Sequence, residues 1–215
     1  MDDLASRLGL VTRVAETIDV GGRPSRRIVL ERTYGTDAPD LWDAVTNPGR
    51  IPRWFLPVSG DLVPGGTFQL EGHAGGTIES CEPPHRLHLT WGSGGAEPVD
   101  VVVTLVEVEG GTRLRLEQLG QVPEELWERF GPSATGLGWD FMLVGLGVHV
   151  DTRAAVDPQE AMAWMGSPDG VAFTEGAAAA WRDADVVGGT GVADAARRIA
   201  HTLAVYRGEE EPPQW

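Results

Sequence analysis

Residues Ser133 to Val150 read SATGLGWDFMLVGLGVHV, and the reading of this stretch decides the fold. Its apolar side chains, Leu137, Phe141, Leu143, Val144, Leu146 and Val148, predict one long helix. The apolar run from Phe141 to Val150 is too short and too glycine-rich to span a bilayer. Four glycines, Gly136, Gly138, Gly145 and Gly147, lie inside the helix. Each costs roughly 1 kcal/mol against alanine in a helix interior, so close packing against a sheet or a second helix is expected to offset them.

Upstream of this helix the texture is that of hairpins. Phe68 and Leu70 alternate with Gln69 and Glu71, Leu87, Leu89 and Trp91 with His88 and Thr90, and Leu114, Leu116 and Gln118 with Arg113, Arg115 and Glu117. Thr77 to Cys81 reads as a short strand broken by Pro83-Pro84. Val99 to Val108 is apolar on both faces, which suits a central strand. Gly75-Gly76, Gly92 to Gly95 and Gly110-Gly111 read as turns. Together these predict an antiparallel meander with one buried face. Nearer the N-terminus, Arg27 to Thr33 reads as a strand and Leu10 to Val14 as a shorter one, with a turn at Gly21-Gly22 and Pro24. Asp37 to Asp40 starts a helix whose apolar face carries Leu41, Trp42 and Val45 and which stops at Asn47-Pro48-Gly49. A second short helix or turn carries Ile51, Trp54 and Phe55.

Downstream the chain is helical. Glu124 to Phe130 is a short amphipathic piece, Asp157-Pro158-Gln159-Glu160 is a capping box, and Ser167-Pro168-Asp169 opens a helix that passes Trp181 and ends near Gly188-Gly189. Val192, Ala196, Ile199, Leu203 and Tyr206 fall at helical spacing. Glu209 to Pro213 is expected to fray. The order of strand, two short helices, hairpin-built sheet and long helix gives an α+β class. A strongly curved sheet wrapped round a single helix leaves a gap between the two, and such a gap is a ligand cavity.

With those elements in place, the chain resembles the SRPBCC superfamily, the helix-grip proteins that include START domains and the birch-pollen allergen. Within it the chain is similar to the group related to the activator of the heat-shock-protein-90 ATPase. The residues that carry the resemblance are Trp42 to Pro48, Arg53-Trp54-Phe55, Gly65 to Phe68, Gly76 to Glu79, Glu82 to Leu87, Thr90-Trp91, Gly110 to Leu114 and Gly138-Trp139. They run in order over about residues 25–150, and the helical continuation resembles longer, actinobacterial-type members. The resemblance implies a START-like helix-grip fold for residues 25–150. Residues 1–24 are then an N-terminal extension with an extra strand or hairpin, 151–208 a helical extension packed on the domain, and 209–215 a disordered tail. It implies that a hydrophobic small molecule (a lipid, polyketide or aromatic) is bound in an internal cavity. The family name does not imply co-chaperone activity.

Alternation assigns Phe68, Leu70, Leu87, Leu89, Trp91, Leu114 and Leu116 to one face, and Trp139, Leu143 and Leu146 join them from the long helix. Their alternative is a filled core. Trp54 and Phe55 stand where an entrance would be gated, Gln118 is a polar group in the apolar phase of its strand, and His73 follows a strand that leads to the cavity mouth. His88 is out of phase with Leu87 and Leu89 and is expected to face solvent; His149 near the helix end suits a C-terminal cap. No His-x-x-x-His, Cys/His cluster, Gly-x-Ser-x-Gly elbow or dinucleotide fingerprint is present, so no metal, cofactor or catalytic set is expected. Non-catalytic binding is the first reading. An aromatase/cyclase-like or hydrolase-like enzyme and a co-chaperone-like or dimerising module are its alternatives, and a homodimer stays open.

The charge bounds the partners. Lys plus Arg is 17 against 32 for Asp plus Glu, a net −15. A nucleic-acid backbone and an anionic membrane surface both repel such a chain. The single cysteine, Cys81, cannot form an internal disulfide, and the acidic N-terminus has no signal-peptide pattern. A cytoplasmic location is therefore expected.

Overall fold

Eight strands form one curved, open antiparallel sheet in the order β1-β2-β8-β7-β6-β5-β4-β3 in the computed structural model, which describes residues 10–92 and 97–212. The strands are β1 Val11–Val20, β2 Arg23–Tyr34, β3 Val58–Gly60, β4 Thr67–Leu70, β5 Gly75–Glu82, β6 Arg86–Trp91, β7 Val99–Val108 and β8 Gly111–Gly120. The helices are α1 Ala38–Thr46, α2 Glu124–Phe130, α3 Ser133–Thr152, α4 Pro158–Met165, α5 Pro168–Val187 and α6 Val192–Tyr206, and a 3₁₀ turn lies at Ile51–Arg53. This is the α+β helix-grip architecture.

Local chemistry accounts for the element ends. The Asp37 carboxylate accepts from the Asp40 amide and caps α1, Ser167 caps α5 the same way, and each helix has proline in its first turn. Gly21 and Gly22 have φ of 62° and 83°, which the β1–β2 turn requires. Three expectations are corrected. Gly75 and Gly76 do not form a turn but open β5; the turn falls at Glu71–Gly72, where Gly72 has φ 65°. The pair lies in the strand because a Cβ on Gly76 would sit 2.0 Å from the Thr90 carbonyl, so only glycine lets the backbones approach. Similarly, Gly111 starts β8, and the turn is Glu109-Gly110. The strand β3 was not legible: three residues with one half-buried side chain carry too little pattern. Of the turn expected at Gly92 to Gly95, residues 93–96 lie outside the described residues, as do 1–9 and 213–215 of the expected terminal segments.

The chain divides into two compact units. One comprises the described residues up to Leu30, Gly120–Phe141, and those from Pro158 onward. Its core holds Phe130, Leu137, Phe173 and Trp181. A buried ion pair ties β1 to α3: Arg13 Nη2 donates to Asp140 Oδ1 at 2.6 Å, and the Trp181 indole N–H donates to Asp140 Oδ2 at 2.7 Å. Gly136 leaves room for that indole, since a Cβ there would lie 2.3 Å from it. Glu209 and Glu210, expected to fray, carry contacts instead: Glu209 N–H donates to the Ala204 carbonyl, and the Glu210 carboxylate pairs with His201 and Arg129.

The second unit is Glu31–Leu119 with Met142–Asp157. Here Gly145 abuts the Trp54 carbonyl and Gly147 the Arg32 guanidinium, where a Cβ would lie 2.8 Å and 2.6 Å from its neighbour. Close packing thus accounts for three of the four glycines of α3. Gly138 is the exception: it is exposed, with open space where a Cβ would be. An ionic lattice joins α1 to the end of α3, with Asp40 accepting from Arg50 at 2.8 Å and from Arg153 at 2.6 Å.

Candidate ligand-binding site

Directly opposed residues on antiparallel strands share a face, and the register of the second unit lays out that face in rows. Gln118 opposes Val101, Val101 opposes Leu89, and Leu89 opposes Ile78. In the next row Leu116, Val103, Leu87 and Cys81 follow one another in the same way. Leu105 and Leu114 extend the face on one side, and Trp91 opposite Val99 on the other. On β4, Phe68 opposes Gly76 and Leu70 opposes Val58.

Burial changes along these rows. Leu114 and Leu116 are 2% and 1% exposed, and Leu143 and Leu146 on α3 are equally enclosed. At β6 the same row positions are only half-buried: no residue of that strand is fully covered. Phe68, Leu70 and Ile78 are buried beneath a layer that includes Phe55, Leu56, Val58, Leu62, Cys81, Leu87, Leu89 and Trp91, all partly open to solvent. An apolar side chain left half in water forgoes part of the ~1.5–3 kcal/mol its full burial contributes.

Aromatic rings line one end of this face. Trp54 stacks on Phe55 at 5.8 Å between ring centroids, Phe55 meets the His73 ring edge-on at 5.9 Å, His73 meets Trp91 at 5.8 Å, and Trp91 meets Phe68 at 5.9 Å. Gly76, opposite Phe68, places no side chain between Phe68 and Trp91. Trp54 is itself buried, its indole N–H donating to the Ala44 carbonyl at 2.9 Å. His73 is exposed as a residue, and desolvation by partial burial pushes its imidazole pKa down. Burial pushes the Cys81 thiol up.

The structure therefore brings Phe55, His73, Leu89 and Trp91, all only partly covered or exposed, around a buried cluster that includes Phe68 and Leu70. It places Leu114, Leu116, Leu143 and Leu146 in closed core. Gln118 is buried in the apolar row, and Trp139 is buried in the other unit. His88 lies off this face and bonds Asp100 at 2.8 Å. His149 is buried, not a surface cap: Arg50 Nε can only donate, so His149 Nε2 accepts from it and Nδ1 donates to the Ala154 carbonyl at 2.7 Å. Among the described residues no group of His, Cys, Asp or Glu side chains has the arrangement of a metal site.

Two residues escaped the sequence reading. Arg32 and Tyr34 fall in phase with the buried Ile28 and Leu30 on β2, and both are buried. Arg32 Nη1 and the Tyr34 hydroxyl each donate to the Leu143 carbonyl at 3.0 Å, and the guanidinium lies over the Tyr34 ring. The signal was available, since a charged residue in the apolar phase of a strand is informative.

The solution structure of CalU16 from Micromonospora echinospora is similar to this chain at 30% identity and a TM-score of 0.68, covering 83% of this chain and 96% of that one. Its crystal structure gives 29% and 0.64 over 81% and 97%. MLL2253 from Mesorhizobium loti is similar at 25% identity and a TM-score of 0.50, over 59% of this chain and 97% of that one. No curated protein sequence matches. The profile of the family described as activator of Hsp90 ATPase homolog 1-like protein matches residues 36–151, and the chain belongs to that family.

Proposed function

We propose that this protein binds a hydrophobic small molecule against the inner face of β4, β5 and β6 and does not transform it. One observation carries the reading: Leu87, Leu89 and Trp91 of β6 are only partly covered on that face, whereas Leu114 and Leu116 of the same face on β8 are enclosed. Unfilled apolar surface with a few placed polar groups is the composition of a ligand site. Phe55, His73 and Trp91 would hold a planar or chain-like apolar body by ring contact, with Leu87 and Leu89 beneath it. In this reading residues 25–150 carry the binding and residues 151–208 are an elaboration.

Native mass spectrometry of the purified protein, followed by denaturing extraction, tests the reading. An apolar molecule that leaves with unfolding supports it. A clean polypeptide mass, together with no thermal shift from saturating lipids or aromatics, would overturn it, because a ligand at about 100 times its Kd stabilises by roughly 2.7 kcal/mol.

A further inference from the structure

We infer that the ligand is a hydroxylated aromatic, and that the His73 imidazole accepts a hydrogen bond from its phenolic hydroxyl. This rests on the binding reading above. His73 belongs to the ring series at the end of the open half, where its imidazole lies edge-on to both Phe55 and Trp91, at 5.9 Å and 5.8 Å. The turn that carries it is braced. The His73 N–H donates to the Leu70 carbonyl at 3.1 Å, and its carbonyl accepts from Gln69 Nε2 at 3.0 Å. Two rings and two hydrogen bonds thus hold a histidine that sits at an exposed turn. Neither of its ring nitrogens has a hydrogen-bond partner among the described residues, whereas His88, His149 and His201 each have one.

The surface around it decides what this imidazole can receive. The register gives β4, β5 and β6 only apolar side chains, one glycine and the Cys81 thiol on the inner face. No cation stands there to pair with an acidic ligand. Burial pushes the His73 pKa down, which favours the neutral ring. A neutral imidazole has one nitrogen that accepts and one N–H that donates, and an uncharged hydroxyl suits the acceptor. The rings of Phe55 and Trp91 set the body of the ligand, because aromatic groups pack on one another in offset-stacked or edge-on geometry. A hydroxyl carried on an aromatic ring satisfies both demands. It is a stronger hydrogen-bond donor than an aliphatic alcohol, and it lies in the plane of the ring that bears it.

Two fluorescent probes that share one ring system test the claim. 2-Naphthol offers a phenolic hydroxyl, and 2-methoxynaphthalene has the same rings without the O–H. Each is titrated into the native protein and into His73→Phe, which keeps an aromatic ring and loses the acceptor. The substitution should weaken 2-naphthol by about three- to tenfold, the range for one hydrogen bond between neutral groups. It should leave 2-methoxynaphthalene within about twofold and the melting temperature unchanged. N-phenyl-1-naphthylamine, a larger neutral fluorophore without a hydroxyl, should also stay within about twofold. If His73→Phe does not fold, His73→Leu should give the same selective loss. A ratio of 2-naphthol to 2-methoxynaphthalene affinity that the substitutions leave within about twofold would overturn the inference and leave the binding reading standing. Binding of none of the three probes to the native protein would overturn both.

Discussion

Strands β6 and β8 carry the same alternation of apolar and polar residues, lie on either side of β7 and show the same face of one sheet, yet they differ in what covers them. On β8, Leu114 and Leu116 are enclosed; on β6, Leu87, Leu89 and Trp91 are only partly covered. Period-two patterning specifies which face a side chain occupies, not whether anything fills the space above it. The closed half of the face is a core that contributes stability; on the proposed reading the open half is where the ligand sits.

Substitutions break that comparison most directly through stability. Leu116→Ala should cost about 2–5 kcal/mol in urea unfolding, the range for a deletion in closed core. Leu89→Ala, in the open half, should cost only about 1 kcal/mol, because the lost side chain was already partly hydrated. Equal losses would mean that both halves are filled. Binding should respond in the opposite sense. Trp91→Ala is expected to weaken N-phenyl-1-naphthylamine by up to about tenfold, in line with ~0.5–1.5 kcal/mol for an aromatic contact, while the same titration of Leu116→Ala at a temperature where it is folded should be unchanged.

Cys81, in the row of Leu87 and the chain's one cysteine, reports on the open half without mutation. Burial raises its thiol pKa, so alkylation by N-ethylmaleimide should be slow at pH 7 and accelerate well above pH 8. Saturating N-phenyl-1-naphthylamine should slow it a further several-fold, and an unchanged rate would place the probe elsewhere. The smallest effect belongs to the lattice between α1 and α3. Burial pushes the Asp40 carboxyl up, but hydrogen bonds from Arg153, Thr36 and Arg50 outweigh it and hold the pKa well below the usual range. A depressed folded pKa gives stability that is complete above an unfolded value of about 3.9 and is lost progressively as pH falls from there through the lower folded pKa. Asp40→Asn should therefore lower stability at pH 7 by about 1 kcal/mol, the upper end for a surface ion pair, since the Asp40 and Arg50 side chains are mostly covered, and by less at pH 3.

Much of the fold was legible because its signals are local. Alternation placed Phe68, Leu70, Leu89, Trp91, Leu114 and Leu116 on one face, and helix signals placed α2 and α6 at their observed ends. Three of the four helix glycines are explained by what lies against them. The Gly75-Gly76 pair misled because glycine marks close backbone approach as readily as a turn, and only the Thr90 carbonyl decides which. The site was legible as a set of residues but not as a division. Nothing in Leu116 or Leu89 says which is covered, since burial depends on partners distant in sequence. Arg32 carries a legible signal as well, a charge in phase with the buried Ile28 and Leu30 of its strand.

The central claim is that the inner face of β4–β6 is open apolar surface that takes a ligand, and a fluorescence titration with N-phenyl-1-naphthylamine tests it most directly. The native protein should bind the probe saturably at one molecule per chain. Leu89→Trp, which adds bulk on that face, should abolish binding with the melting temperature preserved, while His88→Trp, off the face, should bind as the native protein does. No saturable binding to the native protein, or binding that Leu89→Trp leaves intact, would contradict the account.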